Sequence, residues 1–238
     1  MTLVFGHGPE DGSPHAINRL PSFDWCRRHG ADGVECDVRR TGDDQLVVIH
    51  DASMLDGRAL ADASRAELPE FVPGLDQVLD ACRGLIVNVE LKNFPRDPAF
   101  DPAQRVTRLL LELLAARGFA DRVLVSCFDF AALDLVRAEA PAIPTGVLFL
   151  SRRPAADLLD RVVDHGHPVV HPYDTMVDET FVHEARARHL QVNVWFGKTD
   201  STRLRTLVDL GVDGLILEEV AEARRAVDGT GRYAGEAP

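Results

Sequence analysis

The 238 residues are 45% hydrophobic and 27% charged, enough to bury a large core, and the length suits one α/β barrel or two smaller domains. A formal net charge of −12 excludes a global pull on nucleic acid or anionic membranes, so an anionic substrate would need a local positive site, which a bound metal supplies simply. No apolar run reaches membrane-spanning length, Thr2-Leu3-Val4-Phe5 is too short for a signal peptide, and Cys26, Cys36, Cys82 and Cys127 show no paired spacing. The expectation is a cytoplasmic protein without stable membrane insertion and with reduced core thiols, its oligomeric state left open.

The first strand-like run, 2–7, ends in His7. A helical segment follows, and Trp25 is expected to pack it onto the sheet. Gly30-Ala31-Asp32 leads into the run 33–38, where Glu35 and Asp37 stand two apart and share one face of a strand. Thr41-Gly42-Asp43-Asp44 is too short for a parallel crossover, so 45–50 should return antiparallel and bring His50 level with the two carboxylates. Whether His50 shares their face depends on a one-residue register. Asp51 either orients His50 through its carboxylate or caps the next turn.

Further apolar runs follow at 85–91, 123–127, 145–150, 168–171, 192–196 and 214–217. Between them apolar residues recur at helical spacing, as at Leu204, Leu207, Val208 and Leu210, that helix ending at a Gly211 C-cap. Continuous apolar runs suit strands covered on both faces. Their alternation with helices predicts a (β/α)8 TIM barrel over residues 1–227 as a single domain, with a β-hairpin after strand 2. A doubly wound open sheet is the alternative, but it usually has fewer strands, and no Gly-rich phosphate loop follows any strand. Residues 228–238, Gly-rich and polar, are expected to form a flexible tail.

Barrel chemistry sits at the C-terminal ends of the strands. Polar residues collect there: His7, Glu35 with Asp37, Glu90 with Lys92 on one face, then His171, Trp195 and Glu218. A single charged residue at a strand end is most simply a solvated one. Glu35, Asp37 and Glu90, however, interrupt otherwise apolar strands, and buried carboxylates must be paired, hydrogen-bonded or metal-bound. If an imidazole converges on them, the set is what hydrolysis assisted by a hard divalent cation needs. Trp195 is either an apolar wall of the pocket or core filler. His171 matches no catalytic position, and His15, His29, His165, His167, His183 and His189 are read as surface or packing residues.

In this order along nearly the whole chain, His7-Gly8, Gly30-Ala31-Asp32, Glu35-Cys36-Asp37-Val38, Val47-Val48-Ile49-His50-Asp51, Glu90-Leu91-Lys92, Ser126-Cys127-Phe128, Val192-Asn193-Val194-Trp195 and Gly211-Val212-Asp213-Gly214 resemble the motifs of the glycerophosphodiester phosphodiesterase family. The resemblance implies a (β/α)8 barrel with a divalent metal, Mg2+ or Ca2+, held by Glu35, Asp37 and Glu90. It also implies His7 and His50 as general acid and base and Lys92 as a phosphate contact, with Trp195 at the substrate. The partner would be a small-molecule phosphodiester, split into an alcohol and glycerol 3-phosphate.

The chain departs from the family pattern in four places. Gly8 directly follows His7 where an arginine is usual. In the usual Pro-Glu-Asn-Thr box Asn18 matches the asparagine, but Ile17 and Arg19 replace its neighbours, Arg19 being a candidate for the lost positive charge. The segment from Asp51 to Leu75 is shorter than the usual insertion, and Leu217-Glu218 replaces Thr-Asp. Two other functions stay open: a binding or regulatory barrel that keeps the metal cage but hydrolyses poorly, and a phospholipase D-like lyase that makes a cyclic phosphate.

Overall fold

The computed structural model describes residues 1–8, 17–54, 56–150, 154–197 and 200–230. Its strands are β1 (Leu3–Gly6), β2 (Gly33–Arg40), β3 (Leu46–Val48), β4 (Ile86–Leu91), β5 (Val123–Cys127), β6 (Thr145–Phe149), β7 (Val169–Pro172), β8 (Gln191–Trp195) and β9 (Gly214–Leu217). Around the sheet they run β1-β9-β8-β7-β6-β5-β4-β2, and β1 pairs in parallel with β2 to close the barrel. Helices α1 (Leu20–Arg28), α2 (Leu75–Ala81), α3 (Arg105–Arg117), α4 (Phe130–Glu139), α5 (Ala155–His165), α6 (Glu179–Ala187), α7 (Ser201–Leu210) and α8 (Val220–Thr230) alternate with the strands. This is the predicted (β/α)8 barrel. Among the described residues no helix is long and apolar enough to cross a membrane.

β3 is a hairpin strand on β2, with Val38 opposite Val48 and Arg39 opposite Val47. It is shorter than the expected 45–50. The Ile49 amide still donates to the Asp37 carbonyl at 2.9 Å, and the chain then leaves the ladder. Continued pairing would have set His50 opposite Cys36, on the face turned away from Glu35 and Asp37. At the other end, α8 runs to Thr230, so 228–230 continue a helix where a tail was expected. Residues 231–238 and His15 lie outside the described residues.

Two similar tetrapeptides anchor the bottom of the barrel. In Gly30-Ala31-Asp32-Gly33 and Gly211-Val212-Asp213-Gly214 the first glycine is left-handed, at φ 86° and 76°. Each aspartate then accepts the amide of a neighbouring strand, Val4 for Asp32 and Val192 for Asp213, both at 2.8 Å. These motif residues hold strand ends in register and stand away from the mouth. α4, α6 and α7 start on the side chains of Asp129, Asp178 and Asp200, which accept from amides in the first turn.

The main core fills the space between sheet and helices, where Val34, Cys36 and Val38 of β2 are fully buried with Phe23, Leu75 and Leu79. All four cysteines are buried and unpaired. Val47, Leu60, Leu68 and Val72 form a separate small cluster with Ile49 and Met54 beneath the segment joining β3 to α2.

Candidate active site

β2 and β4 lie side by side, with Glu35 opposite Asn88 and Asp37 opposite Glu90. Strand alternation sends all four side chains to the barrel interior. The three carboxylates are 5%, 1% and 8% exposed for Glu35, Asp37 and Glu90. Lys92 Nζ lies 2.9 Å from Asp37 Oδ1 and 2.6 Å from Glu90 Oε1. His7 follows β1, its amide donating to the Leu217 carbonyl at 3.0 Å. Its Nδ1 pairs with Glu35 Oε2, and its Nε2 stands 3.6 Å from Asp37 Oδ2.

The electrostatics show too little positive charge for this much carboxylate. Burial alone would depress the His7 pKa, but the Glu35 and Asp37 carboxylates outweigh it and push it up to about 10. Burial pushes Glu90 up to about 7; Lys92 offsets this only in part, because Asp37 and Glu35 add repulsion. Asp37, which burial would raise, is held well below the usual carboxylate range by Lys92, His7 and His50. Lys92, which burial would lower, is held above the usual lysine value by Asp37 and Glu90.

A cation fits this set. Glu35 Oε1 is buried without a hydrogen-bond partner, and His7, Glu35 and Asp37 offer ligand atoms all within 4.8 Å of one another. The carboxylate oxygens are the donors a hard divalent ion takes. Glu90 stands beside this cluster, engaged by Lys92.

A cavity of about 870 Å3 opens over these groups, and all seven predicted site residues line it: His7, Glu35, Asp37, His50, Glu90, Lys92 and Trp195. His50 is 64% exposed, with Nδ1 2.9 Å from Asp51 Oδ1, so of the two readings of Asp51 the observed contact is with the imidazole. Trp195 is wall, half-buried with its edge on Tyr173 and its Nε1 donating to the His171 carbonyl at 3.1 Å. Phe94 and Phe128 extend the aromatic surface.

Arg39 shapes the site without having been singled out for it. Arg39, on the same alternation as Glu35 and Asp37, donates through Nε to the His50 carbonyl at 2.8 Å. Its guanidinium grips Asp97 at 3.0 and 2.7 Å, both side chains being almost fully buried. Arg39 therefore positions the backbone that carries His50. The guanidinium of Arg19 lies 4.2 Å over the Phe71 ring at the cavity wall. A Cβ at Gly8 would stand 3.1 Å from Ile17 Cγ1 and 3.3 Å from its Cα, which leaves little room for a larger residue. His171 lies on the cavity floor in space that Gly146 leaves open, and burial lowers its pKa to about 3.

Comparison with known proteins agrees with this geometry. Residues 12–222 match the model of the glycerophosphoryl diester phosphodiesterase family. A glycerophosphodiester phosphodiesterase of Bacillus altitudinis is 27% identical over 242 residues, covering 92% of this chain and 95% of that protein. The fold is similar to that of an Oleispira antarctica phosphodiesterase solved in complex with the product sn-glycerol-3-phosphate (TM-score 0.83, 21% identity, 96% of this chain and 97% of that one). It is likewise similar to a glycerophosphodiester phosphodiesterase from Parabacteroides distasonis (TM-score 0.83, 20% identity, 97% and 98% covered). With the family match running over most of its length, the chain belongs to the glycerophosphoryl diester phosphodiesterase family of phosphoric diester hydrolases.

Proposed function

We propose that the protein hydrolyses glycerophosphodiesters to an alcohol and glycerol 3-phosphate with the help of a divalent cation and two histidines. The supporting observation is the excess of buried carboxylate: Glu35 Oε1 lacks a partner, and Glu90 is driven to hold a proton that a cation would replace. Glu35, Asp37 and Glu90 would hold the cation, and their oxygens suit Mg2+ or Ca2+ alike. When bound, it would neutralise a phosphate oxygen and lower the charge that builds up in the transition state.

The remaining steps belong to the chain's own side chains. Lys92, fixed between Asp37 and Glu90, adds a point charge at the phosphate. His50, with Nδ1 on Asp51, takes the proton of the attacking water at Nε2. As the new P–O bond forms and the ester bond breaks, His7, kept protonated beside Glu35, gives its proton to the leaving alcohol oxygen. Exchange with solvent resets both rings. The alcohol half faces the aromatic wall of Phe94, Phe128 and Trp195.

The test is phosphorus NMR of products from a panel of glycerophosphodiesters, with chelated protein given back magnesium, calcium or manganese. Glycerol 3-phosphate is the expected product. A cyclic phosphate would make the protein a lyase, and no product with any metal would make it a binding barrel.

A further inference from the structure

Thr145 opens β6 and His167 lies two residues before β7, so both stand at the N-terminal end of the barrel, remote from the mouth. α5 ends there in His165, and Gly166, left-handed at φ 73°, turns the chain between the two histidines. Their rings stack at 12° with centroids 6.0 Å apart. Both address one carboxylate on α4. His165 Nδ1 is 2.9 Å from Asp134 Oδ2, and His167 Nε2 is 3.3 Å from Asp134 Oδ1.

His167 makes this more than a surface pairing. Its side chain is 0% exposed, and its Nε2 has no hydrogen-bond partner. Its Nδ1 is 2.9 Å from Thr145 Oγ1. Burial disfavours an imidazolium, so one ring nitrogen keeps a lone pair. Thr145 Oγ1 can donate to Nδ1 or accept from Nδ1–H; in the second tautomer the Nε2 lone pair faces a carboxylate oxygen of Asp134, the arrangement that a bound cation would select. A hydrogen-bond partner at the far ring nitrogen, a role Thr145 can fill here, is also how ligating histidines are commonly oriented.

We propose that Asp134, His165 and His167 form a second metal site, selective for a borderline transition cation such as Zn2+ over Mg2+ or Ca2+. Their ligand atoms lie within 4.8 Å of one another. Two imidazole nitrogens and one carboxylate form a set Zn2+ accepts, leaving a coordination position for water. The half-exposed His165 and Asp134 give an entry path. Two guanidiniums stand close by and oppose a cation. Arg137 donates to the His165 carbonyl at 2.8 Å, and Arg161 lies 4.7 Å over the Phe130 ring that packs on both imidazoles. Binding is therefore expected to be moderate, and to tie α4 and α5 to the foot of the barrel.

The experiment titrates Zn2+ into the intact protein by calorimetry with excess Mg2+ present, and Co2+ with visible absorption in parallel. The wild type and Glu35→Gln are expected to share one Zn2+ binding event. Losing a ligand should cost at least as much as losing a group behind one, so His165→Ala and Asp134→Asn should each weaken that event at least ~10-fold. Co2+ should give the absorption of a four-coordinate, nitrogen-ligated ion in the wild type and lose it in His165→Ala. Absence of any Zn2+ event, an event unchanged in both variants, or one abolished by Glu35→Gln overturns the proposal. Both altered side chains are partly exposed, and Asp134→Asn is isosteric, so it carries the same expectation if His165→Ala does not fold. No arm depends on diester hydrolysis.

Discussion

Asn18 and Asp37 hold each other twice: Asn18 Nδ2 donates to Asp37 Oδ2 at 2.6 Å, and the Asp37 amide donates to Asn18 Oδ1 at 3.1 Å. Asn18 does this from a left-handed backbone, φ 63°, which asparagine tolerates better than most residues. Asn18→Ala removes both bonds and keeps the awkward backbone. It is expected to cost about 1–3 kcal/mol of stability and to weaken Mg2+ binding ~10–100-fold. Thermal melting and calorimetry measure the two effects, and wild-type affinity in this variant would remove Asn18 from the site.

Lys92 is the ammonium shared by Asp37 and Glu90, so its loss strands two buried carboxylates. Lys92→Met is expected to lose about 3–5 kcal/mol in denaturant unfolding without added metal, the range for breaking a buried pair. Saturating Mg2+ should recover part of this. A purely phosphate-binding lysine would instead leave the melting curve where it was and change only KM.

In the metal-free protein, stability should fall as pH rises. The folded state holds a proton on His7 up to about 10, against an ordinary value of 6.5. That contribution is complete below pH 6.5 and is lost as pH climbs through about 10. Glu90, raised from 4.5 to about 7, acts in the same direction at lower pH, because it too binds its proton more tightly when folded. Melting temperature in EDTA should therefore decline between about pH 6.5 and 10, and Glu35→Gln should flatten the decline. A flat wild-type profile would show that the His7–Glu35 pair does not form in solution.

The missing motif arginine invites replacement at Gly8, but the space there is closed by Ile17. Gly8→Arg is expected to lower stability and not to raise turnover. Arg19, on the cavity wall over Phe71, is the better-placed cation. If it meets the phosphate, Arg19→Met removes a charged hydrogen bond of about 1.5–3 kcal/mol, a roughly 10- to 100-fold loss in kcat/KM on simple glycerophosphodiesters. Unaltered kinetics would leave Lys92 as the protein's main phosphate cation.

The barrel was legible because its strands are continuous apolar runs and the helices between them show their own period. Glu35, Asp37 and Glu90 stood out because each breaks such a run. Less legible was what depends on convergence from afar. Arg39 and Asp97 lie 58 positions apart, and nothing local marks the aspartate as the partner of a buried arginine. That Asp37 and Glu90 share Lys92 was not legible, because the register that sets the two carboxylates side by side belongs to the sheet, not to either strand. The hairpin was expected to reach His50, but pairing stops at Ile49 and the loop decides where the ring goes. His165 and His167 looked like packing residues because Asp134, the carboxylate they share, lies on the preceding helix.

The two histidines also ride on parts of the molecule with different cohesion. His7 emerges from β1 between β2 and β9, inside the closed barrel. His50 hangs from a hairpin braced by the Val48 amide on the Pro73 carbonyl and by the minor core of Val47, Leu60, Leu68 and Val72. A handful of apolar contacts is the kind of unit that opens sub-globally while the rest of a domain stays shut. Mild denaturant should thus free the amides around β3 to exchange, and separate His50 from His7, while far-UV circular dichroism still reports an intact barrel. With His50 as the proposed base, the working lifetime of the enzyme would be set by the melting of its hairpin, well short of the melting of its fold.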